Sequence, residues 1–176
     1  IDIRGNVKTK DVVIRRELKI LPGDKFEGSK IKRSRQRLQN LGYFEEIDFD
    51  VVSTDEKNKQ DLSIRVKESK TGEFSFGAGY SSIDDFIGFV EISQRNFDIM
   101  NMPTFTGAGQ HISLRAEIGT TRNDYELSFT EPWIFGYPYL FGLDLYQHSR
   151  DRSRDIGYAW DEERKGFALR FGKDIS

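Results

Sequence analysis

The 176-residue chain contains no cysteine, so no disulfide staples it and no thiol can act as nucleophile or metal ligand. Histidine is almost as scarce. His111 and His148 stand alone, outside any metal-ligand spacing and away from any glycine-framed serine, so they read as polar residues at strand ends. No excess of one charge exists either: 27 Lys and Arg face 29 Asp and Glu, a net charge of −2, and no global field recruits nucleic acid. No run of about eighteen apolar residues is present, which excludes a transmembrane helix but not a transmembrane barrel, whose alternating strands average out in a hydropathy window. Gly77-Ala78-Gly79 opens no helix and so is no phosphate loop. The acidic groups Glu45-Glu46, Asp84-Asp85 and Asp161-Glu162-Glu163 fit solvated turns better than a cation site. These absences argue against an enzyme, a cofactor and a bound metal. No charged-then-apolar leader precedes Ile1, and the chain is expected to be an internal piece of a longer protein or a processed form.

What is present changes character near residue 70. Before it, Ile1 and Ile3 alternate with Asp2 and Arg4, and Gly5-Asn6 turns the chain. Thr9 is placed to cap a short helix with Ile14 and Leu18 on one face, ended by Pro22-Gly23-Asp24. Ile31, Ser34, Leu38 and Leu41 form one inward stripe of a second helix, and Lys30, Lys32, Arg33, Arg35 and Arg37 line the rest. That basic stripe has acidic neighbours and no interleaved aromatics, so it reads as a solvated face rather than a nucleic-acid site. Gly42 sits where a left-handed residue ends a helix, and Tyr43-Phe44 can pack back on the last turn. Ile47, Phe49 and Val51, then Leu62, Ile64 and Val66 after the polar loop Thr54 to Gln60, alternate as strands. The order β-α-α-β-β predicts an α+β domain over residues 1–69, with two helices on one face of a three-stranded sheet.

From about residue 70 onward glycine and aromatics dominate. Six strands are expected at Glu73–Ser81, Phe86–Arg95, His111–Gly119, Tyr125–Trp133, Tyr139–His148 and Lys165–Gly172. One face carries Phe74, Phe76, Tyr80, Val90, Ile92, Leu114, Ile118, Leu127, Phe129, Leu143, Leu145, Phe167, Leu169 and Phe171 without a charge. The other includes Glu73, Glu91, Arg115, Glu117, Glu126, Asp144 and Arg170. The strands approach the length a tilted strand needs to cross a bilayer, and Trp133, Phe135, Tyr137 and Tyr139 crowd one strand end as an interfacial girdle does. Ser82–Asp85 and Thr120–Asp124 are short connections, and Ser149 to Arg164 is long and charged. Asn96 to Gln110 breaks the pattern: a brief turn is expected there, yet the stretch is long and holds Met100, Met102, Pro103 and Phe105. Residues 70–176 thus read as antiparallel strands of a transmembrane barrel too few to close on their own.

Leu38-Gln39-Asn40-Leu41-Gly42-Tyr43-Phe44 before an alternating strand resembles a POTRA (polypeptide-transport-associated) domain. Thr71-Gly72-Glu73-Phe74-Ser75-Phe76-Gly77-Ala78-Gly79-Tyr80-Ser81, then Gln94-Arg95-Asn96-Phe97, Gly107-Ala108-Gly109-Gln110 and Thr130-Glu131-Pro132-Trp133-Ile134-Phe135-Gly136 follow in order. The succession resembles the BamA family of outer-membrane assembly factors, at the junction of the last POTRA domain and the barrel. The resemblance implies a large barrel of roughly sixteen strands in the bacterial outer membrane, with the N-terminal domain in the periplasm. It implies folding and insertion of unfolded outer-membrane β-barrel proteins, beside accessory assembly lipoproteins and in contact with the lipid bilayer. It also implies that client strands add at the first barrel strand, Glu73, Phe74, Ser75, Phe76, Gly77, Ala78, Gly79, Tyr80 and Ser81, whose free edge is a template for strand addition. Gly77 and Gly79 either weaken that strand or fit curvature and a neighbouring aromatic; both readings stand. Arg15, Arg16 and Glu17 are either an accessory-partner contact or a surface ion-pair cluster. The Asp98–Thr106 stretch departs from the family's brief turn as an insertion. Two other assignments fit the same patterns: a POTRA-barrel secretion translocator, and a soluble periplasmic module of an α+β domain and a β-sandwich.

Overall fold

The computed structural model describes residues 1–54, 59–82, 85–150 and 161–173. Asp84, the tip of the polar loop after Thr54 and most of the charged connection after Ser149 lie outside the described residues. Contacts divide the chain into two units, residues 1–71 with 96–109, and residues 72–95 with 110–176.

In the first unit β1 (Asp2–Arg4), α1 (Asp11–Arg15), α2 (Gly28–Leu41), β2 (Phe44–Ser53) and β3 (Gln60–Glu68) follow the expected β-α-α-β-β order. The sheet runs β1-β3-β2, with β1 parallel and β2 antiparallel to β3. Ile14, Leu18, Ile20, Leu38, Leu62, Ile64 and Val66 form the buried core, and Ile31, Leu41, Phe44, Ile47 and Phe49 pack against it. Ser34, the one polar member of the inward stripe, is fully buried. Its hydroxyl donates to the Lys30 carbonyl at 2.8 Å and accepts from the Lys19 amide at 2.8 Å, so burial leaves it satisfied. Gly42 ends α2 in the left-handed region, φ 67°, and its amide donates to the Gln39 carbonyl at 3.1 Å.

The expected Thr9 cap is not made. Lys10 occupies the cap position with no side-chain bond, and α1 is five residues long, so Leu18 reaches the core from the turn beyond it. Thr9 is held elsewhere: its amide donates to Glu68 Oε1 at 2.6 Å, and its hydroxyl accepts from Asn96 Nδ2 at 2.9 Å.

The second unit is one six-stranded antiparallel sheet in sequence order: β4 (Gly72–Ser81), β5 (Asp85–Phe97), β6 (Gln110–Gly119), β7 (Arg122–Glu131), β8 (Tyr139–Arg150) and β9 (Glu162–Lys173). Every expected strand exists. β5, β8 and β9 run past their expected ends, and β7 is displaced toward Arg122, leaving Trp133 at the start of a 3₁₀ turn, Ile134–Gly136.

Candidate strand-pairing edge and apolar face

Alternation along each strand and the registers between strands fix what each face of the sheet carries. Phe74 stands opposite Ile92, Phe76 opposite Val90 and Tyr80 opposite Phe86. Farther along, Leu114 meets Leu127, Leu127 meets Leu145, Leu143 meets Leu169 and Phe141 meets Phe171. This is the uncharged face read from the sequence. Its members are open: Phe74, Phe76, Tyr80, Phe86, Ile92, Leu114, Ile118, Phe167, Leu169 and Phe171 are all more than half exposed. A soluble monomer rarely exposes so continuous an apolar surface, whereas a lipid-facing wall requires one.

The opposite face is a chain of ion pairs. Arg115 bonds Glu91 at 3.1 Å and Glu117 at 3.2 Å, Arg122 bonds Glu117 at 3.1 Å and Asp124 at 2.6 Å, and His148 Nδ1 lies 3.1 Å from Asp124. A second group joins Arg170 to Asp144 at 2.7 Å, with Ser128 donating to Asp144 at 2.6 Å. Charges that repeat from strand to strand on one face belong against water, as in a barrel lumen. Among the described residues no cluster of three or more acidic, histidine or cysteine side chains is placed to hold a metal.

β4 is the terminal strand of the sheet order, paired with β5 from Gly72↔Gln94 to Ser81↔Asp85. Phe74, Phe76, Ala78 and Tyr80 alternate on the apolar face, and Glu73, Ser75, Gly77 and Gly79 on the other. The two glycines differ. A Cβ at Gly77 would lie 2.6 Å from the Phe89 ring, whereas one at Gly79 would meet nothing within 4 Å.

The other named residues do not gather into one surface. Arg15 stays half exposed, paired with Asp11. Arg16 and Glu17 have side chains only 9% exposed, and Glu17 accepts from Arg37 at 2.9 Å, tying α2 to the turn after α1. Of the basic stripe, Lys30 pairs with Asp24 and Arg35 lies over the Phe49 ring at 5.3 Å.

Sequence reasoning missed the place of the long connection. Residues 96–109 cluster with the first unit. Asn96 and Asp98 are 1% exposed. Asn96 donates to Thr9 and accepts from the Gly109 amide at 2.9 Å, Asp98 pairs with Lys10 at 2.6 Å, and the Lys10 amide donates to the Gly107 carbonyl at 2.9 Å. Gly107 and Gly109 have positive φ, and a Cβ on either would run into Lys8 or Arg16, so only glycine fits there. The Gly-Ala-Gly-Gln motif carried that signal, but not the partner it serves.

A family model described as "Surface antigen variable number repeat" (POTRA) matches residues 1–69, and one described as "Omp85 superfamily domain" matches residues 104–176. "Outer membrane protein assembly factor BamA" of Nitratidesulfovibrio vulgaris is 38% identical over 144 residues, 82% of this chain and 17% of that protein. The protein of the same name from Neisseria meningitidis serogroup B is 33% identical over 152 residues, 86% of this chain and 18% of that protein. The chain therefore spans under a fifth of these relatives. In fold it is similar to the crystal structure of BamA from Haemophilus ducreyi lacking POTRA domains 1-3, with a TM-score of 0.81 at 24% identity, covering 97% of this chain and 31% of that one. The names of both relatives are those of outer-membrane proteins. The chain belongs to the Omp85 superfamily, in its BamA-type branch, and consists of a POTRA domain followed by the opening strands of the barrel.

Proposed function

We propose that the protein carrying this chain assembles other β-barrel proteins into the outer membrane, and that unfolded clients are engaged by strand pairing along β4. The observation that carries the reading is the place of β4: it is the strand that follows the POTRA domain directly, it pairs with β5 alone among the described strands of a sheet whose apolar face is exposed, and its other edge is the one on which a further strand can pair through N–H and C=O groups. A client strand that pairs there satisfies those groups together with its own, and in lipid an unsatisfied pair is costly. Each hydrogen bond contributes about 0.5–1.5 kcal/mol net, so the ladder as a whole outweighs any single side chain. No catalytic residue is needed. An accessory lipoprotein that docks on α1 would meet Arg15, since Arg16 and Glu17 are engaged within their own unit.

The test is a disulfide that locks β4 to the last strand of the full-length barrel, in protein reconstituted into liposomes with an unfolded barrel client. Insertion stops in the oxidised protein and resumes on reduction. An oxidised protein that inserts clients at the unlocked rate overturns the pairing-edge reading. Loss of secretion through the barrel with insertion intact would move the assignment to a translocator.

A further inference from the structure

The face of β4 that looks away from lipid carries a feature that the pairing edge alone does not require. Gly77 lies directly across from Phe89 of β5. A Cβ at Gly77 would come within 2.6 Å of Phe89 Cε1 and 3.0 Å of Cζ, so the ring lies over the β4 backbone in a notch that any side chain would fill. Behind the ring stands Arg115 of β6, its guanidinium carbon 4.8 Å from the ring centroid. Glu91 and Glu117 hold Arg115 at 3.1 and 3.2 Å, and Arg122 in turn bonds Glu117. The ring is thus gripped between the β4 backbone and a cation braced from β5, β6 and β7.

We propose that Phe89 is a positioning residue for client pairing: seated in the Gly77 notch and backed by Arg115, it pins the middle of β4 to β5 in register. The inference rests on the pairing-edge reading of β4. A strand whose inner edge slips or peels offers no fixed template to a partner on its outer edge, and a one-residue slip turns every side chain to the wrong face. Glycine weakens a strand through missing packing, and a cross-strand aromatic laid over it restores the contact. The open space beside Gly79 shows that this restoration is confined to one point of the strand. The clamp therefore sits near the middle of the β4–β5 ladder, which runs from Gly72 to Ser81.

The test uses the full-length protein in liposomes, with two readouts: the insertion rate of an unfolded barrel client and hydrogen exchange of the β4 amides. Barrel closure is checked separately by heat-modifiable migration. Phe89→Ala and Gly77→Ala slow insertion by about two- to fivefold, the range a single cross-strand contact permits, and raise exchange in β4. Phe89→Tyr, which keeps the ring, retains the parent rate. The double variant Phe89→Ala with Gly77→Ala is no slower than Phe89→Ala alone, since both act on one contact. Gly166→Ala is the control: it forces the same kind of clash, against Tyr146 in the β8–β9 hairpin, and leaves insertion unchanged. Parent rates in both Phe89→Ala and Gly77→Ala overturn the inference, as does a Gly166→Ala variant slowed equally. If Phe89→Ala fails to close, Gly77→Ala and Phe89→Tyr still decide. A lock of β4 to the last strand that leaves insertion intact defeats the pairing-edge reading; a lock that stops insertion beside parent rates in the Phe89 and Gly77 variants defeats only the clamp.

Discussion

Leu62, Ile64 and Val66 of β3 alternate with polar residues in the same way as Phe167, Leu169 and Phe171 of β9. The first three are at most 7% exposed, beneath two helices; the second three are 51–74% exposed. Alternation thus reports that a strand has an apolar face, not what covers it. In the POTRA unit the cover is protein, and the side chains are fixed by close packing. On the barrel strands the cover is lipid, which tolerates any apolar shape but no charge. The two units should therefore fail under opposite kinds of substitution.

The largest effect is expected where packing is tightest. Leu38 is fully buried at the centre of the POTRA core, and Leu38→Ala costs about 2–5 kcal/mol, the transfer term plus a cavity. Urea unfolding of a fragment joining residues 1–71 to 96–109 measures it. Leu169→Ala, on the open face, costs less, about 1.5–3 kcal/mol for the transfer from water to lipid alone, because lipid flows into the space and leaves no cavity. Equal losses at both sites would break the comparison.

Charge reverses the order. Leu114→Arg costs about 2–4 kcal/mol if its level is near the bilayer midplane, while the same change at Ser113, on the opposite face, costs little. Folding of the full-length protein into vesicles across a urea series separates the two. An apolar, bilayer-confined label supports the assignment if it modifies cysteines placed at Leu114, Ile118, Leu143 and Leu169 but spares those at Arg115, Glu117, Asp144 and Arg170.

How much of this was legible follows from the range of the interactions. The six strands and the POTRA order were legible because periods of 2 and 3.6 are local. Strand ends were misjudged wherever polar residues continue the ladder: Ser149 and Arg150 belong to β8 and Glu162 to Arg164 to β9, though their charge suggests a loop. Arg122, Asn123 and Asp124 likewise pair with Arg150, Ser149 and His148 rather than turning the chain. The client pairing proposed for β4 came from resemblance alone, since period and register mark β4 as a strand with an apolar face and no more. The Phe89 contact was hidden because Gly77 reads the same as Gly79 until the register is known. The placement of residues 96–109 was hidden for a different reason, since Asn96 finds Thr9 across 87 positions of sequence.

That placement yields a smaller and sharper test. Asn96 is buried, with its amide nitrogen and oxygen both bonded, so Asn96→Ala leaves the Gly109 amide and the Thr9 hydroxyl without their partner. In the joined fragment the cost is about 1–3 kcal/mol. A fragment of residues 1–71 alone has already lost those bonds, together with the Lys10–Asp98 pair, and should unfold at lower urea than the joined one. Identical midpoints for the two fragments would mean that the connection contributes nothing to the POTRA fold.

The smallest effect is electrostatic and lies at the exposed turn before α2. The Leu21 amide donates to Asp24 Oδ2 at 3.2 Å and Lys30 Nζ lies 3.1 Å from the same oxygen. The amide bond first, and Lys30 second, hold the Asp24 carboxyl below its ordinary value. A carboxyl whose pKa is depressed on folding stabilises the folded state at every pH above its unfolded value, and loses that contribution as pH falls through the folded one. Asp24→Asn should therefore lower the thermal midpoint of the joined fragment slightly at neutral pH, and the gap to the parent should close as the solution is acidified below the ordinary carboxylate range. Added salt should narrow the part due to Lys30, which is screened at the surface, and spare the part due to the Leu21 amide. A gap that persists unchanged in acid would assign the loss to the shape of the turn rather than to its charge.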